Sequence, residues 1–183
     1  MKTHYLTTPL RLKDVNELNT GDRIFISGII YAMRDEAHKR FSYMIIKKEK
    51  LPFNLRGQVI YYVGPAPTPY GKVIGSAGPT SSYRMDPYTP QLLEKGLKAT
   101  IGKGQRDKAV IDSMVKNKAV YLVAVGGAAV LISKTIKSSK VIAFNELGHE
   151  AVRELEVENF PCIVANDIYG NDIFIQGVNE WKR

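Results

Sequence analysis

Leu97-Lys98-Ala99-Thr100-Ile101-Gly102-Lys103-Gly104 is the segment whose reading decides the fold. Its first five residues read as a strand and its two glycines as a turn. A helix is expected next, over residues 105–116, with Ala109, Val110, Ile111, Met114 and Val115 near its apolar face. Residues 119–125 then read as a second buried strand. Strand, helix and strand in that order predict a parallel or mixed sheet with crossover helices, so the fold class expected is α/β.

Working upstream, residues 87–95 form a helix with Leu92 and Leu93 inward, stopped at Gly96. Residues 72–75 read as a short strand. Pro65, Pro67 and Pro69 make residues 64–71 a rigid loop. Residues 58–63 and 23–33 are strong strands, the latter apolar on both faces as a buried strand should be. Between them lies a helix through about Lys48, with Asp35 as its N-cap and Ala37, Phe41, Met44 and Ile45 on its apolar face. Residues 1–20 are an extended lead-in that touches the core through Leu10, Leu12, Val15 and Leu18. Downstream, Gly126-Gly127 turns into a helix or loop that runs to Ile136, and residues 140–144 form a strand. Residues 151–157 are ambiguous, and strands at 162–167 and 172–175 are joined by a hairpin-like turn at Tyr169-Gly170-Asn171.

The chain has 183 residues, which fits one domain over residues 1–183 with a substantial core. Hydrophobic residues make up 44% and charged residues 24%, both close to soluble globular averages, so neither a disordered chain nor a membrane protein is indicated. The first residues, Met1 to Leu6, carry no apolar signal core, so a cytoplasmic location is expected. The one cysteine, Cys162, excludes an internal disulfide framework and an iron–sulfur cluster held by this chain alone. It lies in an apolar run and reads as a core residue. The net charge of +8 is unevenly placed, with the acids concentrated after Val141. The basic first three quarters would attract anions, of which a dicarboxylate and a nucleic acid are the two candidates. A nucleic-acid-binding domain would draw on the pI of about 9.5 and the ten tyrosines, but no basic stripe interleaves with the aromatics.

Arg34 follows the strand at 23–33, Arg84 the strand at 72–75, and Lys103 the strand at 97–101. Ligands of open α/β sheets sit beyond the carboxyl ends of strands, so three neighbouring parallel strands would gather these cations in one crevice. Arginine grips a carboxylate with two parallel hydrogen bonds and lysine supplies a compact charge. The stretch from Gly75 to Asp86 joins them, with small residues that permit close approach and hydroxyls at Thr80, Ser81 and Ser82. His38, Ser81 and Asp86 are supporting candidates. Gly102-Lys103-Gly104 lacks the spacing of a nucleotide loop, and no metal-ligand spacing is present.

Several runs together resemble one family. They are residues 34–40, 62–67, 75–80 with 84–88, 101–104, and 156–161. They are similar, in order and spacing, to the β subunit of the iron–sulfur (class I) fumarate hydratase and L-tartrate dehydratase family. The resemblance implies a swivelling β/β/α domain. It also implies an α subunit, in an α2β2 heterotetramer, that holds a [4Fe-4S] cluster whose open iron acts on the leaving hydroxyl. It implies Arg34, Arg84 and Lys103 as substrate-binding residues, with Lys103 and Thr80 catalytic and Thr80 as the base. Nucleic acid and membrane partners are not expected. Two positions depart from the family pattern: Ser81 replaces a threonine, and Tyr83 replaces a glycine. Tyrosine disfavours a positive φ, so the loop either does without one there or is reshaped.

Overall fold

In this computed structural model, which describes every residue except Gly126 and Arg183, the sheet closes on itself. Strands β2 (Arg23–Ala32), β3 (Val59–Tyr61), β4 (Ala99–Gly102) and β5 (Val120–Val123) run parallel, each beside the next. The long strand β7 (Val152–Asn166) is antiparallel to both β5 and β2 and completes the ring. Outside the ring, β1 (Thr3–Thr7) lies parallel to the start of β2, and β6 (Ile136–Ala143) lies antiparallel to the first half of β7.

Ring closure explains the apolar runs. Side chains alternate across each strand. One set, including Ile24, Ile26, Tyr61, Ile101, Leu122 and Phe160, fills the barrel interior. The other set, including Ile60, Tyr62 and Tyr121, meets the helices. Those helices are α2 (Asp35–Lys47), α3 (Thr89–Glu94) and α4 (Lys108–Asn117), which contribute Phe41, Leu92, Leu93, Val110 and Met114. Two layers of sheet and one of helices result, which is the β/β/α layering expected.

Other elements differ from the sequence reading. The lead-in contains β1 and a short helix, α1 (Leu12–Asn16); Leu10, Val15 and Leu18 are buried, whereas Leu12 is exposed. Residues 72–75 are not a strand. Gly75 lies so close to the carbonyls of Ala66 and Pro67 that a Cβ would collide with them, and the Ala66 amide donates to the Ser76 carbonyl at 3.0 Å. The two segments strap each other instead of joining the sheet. Residues 151–157 and 162–167 are parts of the one strand β7, which carries Pro161 and a positive φ of 50° at Asn159. Residues 172–175 are not a strand but the start of α6 (Ile173–Trp181), whose N-cap Asp172 accepts from the Phe174 amide at 2.8 Å. A short apolar run cannot by itself distinguish the two periods. The turn expected at Gly126-Gly127 falls partly outside the described residues; Gly127 has φ 82°, and α5 (Ala129–Lys134) follows.

Candidate active site

All four parallel strands point their carboxyl ends to one rim of the barrel, and β7 begins there, since Ala32 of β2 pairs with Arg153. The candidate residues are delivered to this rim. Arg34 leaves β2 and forms the N-cap of α2, with extended backbone. Asp35, expected as the cap, is the first helical residue, and its carboxylate has another use. Its Oδ2 lies 3.4 Å from Arg34 Nη2 and 3.5 Å from Arg84 Nη1. Arg34 Nη2 also lies 3.4 Å from Glu150 Oε1, on the 3-10 segment Asn145–Glu150.

Arg84 arrives by a route other than the one expected, because no strand precedes it. It sits in a 3-10 turn, Ser82–Met85. Just before that turn, the Thr80 amide donates to the Tyr62 carbonyl at 2.7 Å and the Lys103 amide to the Thr80 carbonyl at 3.2 Å. The Ser82 amide donates back to the Lys103 carbonyl at 2.9 Å, and Ser81 pairs with Lys103 as an isolated parallel bridge. Thr80 and Ser81 are thus wedged between the ends of β3 and β4, next to Lys103. Gly102 makes the approach possible, because a Cβ there would collide with Ser82 Oγ. Tyr83 is exposed and is not among the positive-φ residues, so the position does without the conformation that glycine supplies best. Among the described residues, no side chain hydrogen-bonds to the Thr80 hydroxyl.

Two supporting candidates are buried. His38 Nδ1 donates to the Arg34 carbonyl at 2.8 Å, which leaves Nε2 as a buried atom without a partner. Burial pushes the imidazole down to about 4, so it is neutral at pH 7. Asp86 does not face the rim. Its Oδ1 accepts from Arg106 Nε at 2.6 Å, and its Oδ2 accepts from the Asp107 amide at 2.9 Å.

Arg106 is the residue that sequence reasoning missed. Its side chain is 0% exposed. Nη1 donates to Tyr62 OH at 3.2 Å and to Thr100 Oγ1 at 3.1 Å, and Nη2 donates to Thr89 Oγ1 at 2.8 Å. The guanidinium lies 5.3 Å from the Tyr62 ring and 5.1 Å from that of Tyr121. Tyr121 OH donates to the Gly104 carbonyl and accepts from Ser82 Oγ, both at 2.8 Å. This buried network ties the Thr80–Asp86 segment to the Lys103–Asp107 segment from beneath. A buried charge is tolerable only when paired and hydrogen-bonded in this way. The available signal was Thr100, Tyr62 and Tyr121, polar atoms on strands that otherwise read as fully apolar.

A rim that presents two arginines on one carboxylate oxygen, a lysine and a threonine can hold a dianion and stabilise negative charge that develops on it. The sequence matches the family model described as Fumarase C-terminus over residues 2–177. The chain belongs to the fumarase C-terminal family. It is 38% identical over 179 residues to the anaerobic class I fumarate hydratase of Escherichia coli (strain K12), which covers 96% of this chain and 33% of that protein. It is 38% identical over 164 residues to fumarate hydratase 2 of Leishmania major, covering 88% of this chain and 29% of the relative. It is 40% identical over 176 residues to a Methanocaldococcus jannaschii protein named as a candidate L(+)-tartrate dehydratase subunit beta, covering 93% of this chain and 90% of that one. The family member described here therefore spans about a third of the fumarate hydratases it matches and nearly all of the beta-subunit relative.

The family's cofactor bears on which residues could hold a metal. Among the described residues, no three His, Cys, Asp or Glu side chains gather as a metal site. Cys162 is buried, and burial pushes its thiol up, away from the thiolate a metal needs. These residues do not fit an iron–sulfur cluster. No helix among the described residues is long and apolar enough to cross a membrane.

Proposed function

We propose that this chain is, as one unit over residues 1–183, the β subunit of a two-subunit hydro-lyase that interconverts malate and fumarate. The observation that carries the reading is the convergence of Arg34 and Arg84 on one oxygen of Asp35. A substrate carboxylate carries the same charge as that side chain and can be received by the donors of the two guanidiniums that Asp35 leaves free. Arg34 and Arg84 then bind the substrate carboxylates, and Lys103 stabilises the negative charge that spreads into one of them when the carbon-bound proton leaves. Dehydration breaks a C–H and a C–O bond, forms the C=C bond and releases water. Thr80, whose backbone lies beside Lys103, is the base in this reading. A neutral threonine hydroxyl is a poor base, so Thr80 acts as an alkoxide or passes the proton through a relay.

The [4Fe-4S] cluster belongs, in this reading, to an α subunit in a cytoplasmic α2β2 assembly, and departure of the hydroxyl lies outside what this chain supplies. L-tartrate is the second substrate to consider, supported by the beta-subunit relative of similar length.

The test is co-production with the α partner, cluster reconstitution, and assays on malate, fumarate and tartrate. The assembled pair is expected to turn over malate and fumarate, and the isolated chain to do nothing. Full turnover by the isolated chain under chelating conditions would sink the proposal, as would an assembled pair inert towards all three acids.

A further inference from the structure

Beside Arg34 lies a cavity of about 530 Å³, lined by residues 64–68, His149 and Arg153. Its size falls within the range of small-molecule pockets, roughly 300–1,000 Å³. Its cation is unusual. Arg153 is half-buried, its Nε is buried without a hydrogen-bond partner, and no ion pair to it is found among the described residues. Arg34 shares the unpartnered Nε but has Asp35 and Glu150 as counterions, and Arg106 has Asp86. A guanidinium partly withdrawn from water at Nε and without a counterion is unfavourably placed, and an anion entering the cavity would supply one.

The surroundings reinforce this. His149 is the second basic side chain in the wall, with Nε2 3.8 Å from Glu150 Oε1. Glu150, the acid beside His149, is already engaged: Oε1 with Arg34 and Oε2 accepting from the Glu36 amide at 3.2 Å. The opposite wall is preformed. Pro65 and Pro67 restrict its backbone, and the Ala66–Ser76 hydrogen bond and the close approach of Gly75 hold it in place. Gly64 separates the cavity from the active-site arginine. A Cβ built on it would lie 2.8 Å from Arg34 Nη1 and 3.0 Å from His149 Cδ2.

We propose that this cavity is a second carboxylate-binding site, in which Arg153 and His149 hold one carboxylate of a small dicarboxylate next to Arg34. It serves as a staging subsite for the substrate class of the neighbouring rim, and it rests on the hydro-lyase reading only for that class. A dicarboxylate held here is one glycine away from the guanidinium that must receive it.

The experiment is a nitrogen–proton NMR titration of the full chain with malonate at constant ionic strength. Saturable shifts are expected at the amides of Gly64, Ala66, Thr68, His149 and Arg153, separate from those near Arg84 and Lys103. Arg153→Gln should weaken the cavity set about tenfold or more, the loss of roughly one charged hydrogen bond. It should leave the other set in place, and Arg84→Lys should do the reverse. His149→Gln, at an exposed position, should weaken the cavity set alone by a smaller factor, and it serves if Arg153→Gln perturbs folding. The proposal is overturned by the absence of saturable cavity shifts, by shifts that both cavity variants leave unchanged, or by chloride reproducing them. Failure of the hydro-lyase reading would appear separately, as an assembled pair without turnover.

Discussion

Arg34 and Arg84 come from different elements, the N-cap of α2 and the 3-10 turn Ser82–Met85, yet both reach Asp35 Oδ2, at 3.4 Å and 3.5 Å. Two guanidiniums this close repel each other unless an anion lies between them. Asp35 is that anion, and it holds both side chains near the geometry a substrate carboxylate would need.

Removing it should therefore impair binding more than chemistry. Asp35→Ala in the reconstituted pair is expected to raise KM about tenfold or more, the equivalent of one charged hydrogen bond, with a smaller change in kcat. Asp35→Asn, which keeps an acceptor oxygen, should fall between that variant and the wild type. Steady-state kinetics on malate decide the matter, and an unchanged KM in Asp35→Ala would reject a positioning role.

Arg84→Lys keeps the charge and loses the planar fork. Loss of one of two charged hydrogen bonds is worth about 1.5–3 kcal/mol, so kcat/KM should fall roughly 10- to 100-fold. An unchanged kcat/KM would remove Arg84 from the site.

The buried pair beneath the rim should act on stability. Asp86→Ala leaves Arg106 charged and uncompensated, with an expected loss of about 3–5 kcal/mol, measured by urea denaturation of the full chain. A loss below about 1 kcal/mol, the scale of a surface ion pair, would mean that water reaches Arg106.

Acid should weaken the fold through His38. Burial lowers its folded-state pKa to about 4 from the ordinary imidazole value of 6.5. Between those values the unfolded chain binds the extra proton and the folded chain does not. The stability associated with the neutral ring is thus complete above about pH 6.5 and is lost as pH falls towards 4. The full effect is on the order of 3 kcal/mol. Denaturation at several pH values should show the slope in wild type and a shallower one in His38→Gln. Equal slopes would mean that His38 does not titrate this way.

Much of this rim could be read from residue order, because strands followed by cations carry their own placement. Arg34 and Lys103 fall at the ends of β2 and β4, where the spacing puts them. Arg84 also belongs to the rim, but its supposed strand at 72–75 does not exist; the wedge of Thr80 and Ser81 between β3 and β4 brings it there. That wedge depends on backbone hydrogen bonds between distant segments, which no local pattern encodes. Asp35 looked like a helix cap because acids favour first turns, and one of its two partners, Arg84, is far along the chain. Arg106 was hidden for a similar reason. An arginine in a run of lysines, glycine and glutamine reads as solvated surface, and only the assembled barrel places Thr100, Tyr62 and Tyr121 around it. Ile173 to Ile175 misled in the opposite direction: a short apolar run suits a strand as well as it suits α6.

The ring closed by β7 also has a kinetic consequence. Arg23 pairs with Ile163, and Ala32 with Arg153, so the seam joins regions separated by most of the chain. During synthesis β2 to β5 are made well before β7. Until it arrives, β2 and β5 each present an unpaired edge, with backbone donors and acceptors able to recruit a strand from another molecule. Contacts this distant in sequence form slowly. The interval between the emergence of β5 and the docking of β7 is therefore when the nascent chain is most exposed to aggregation.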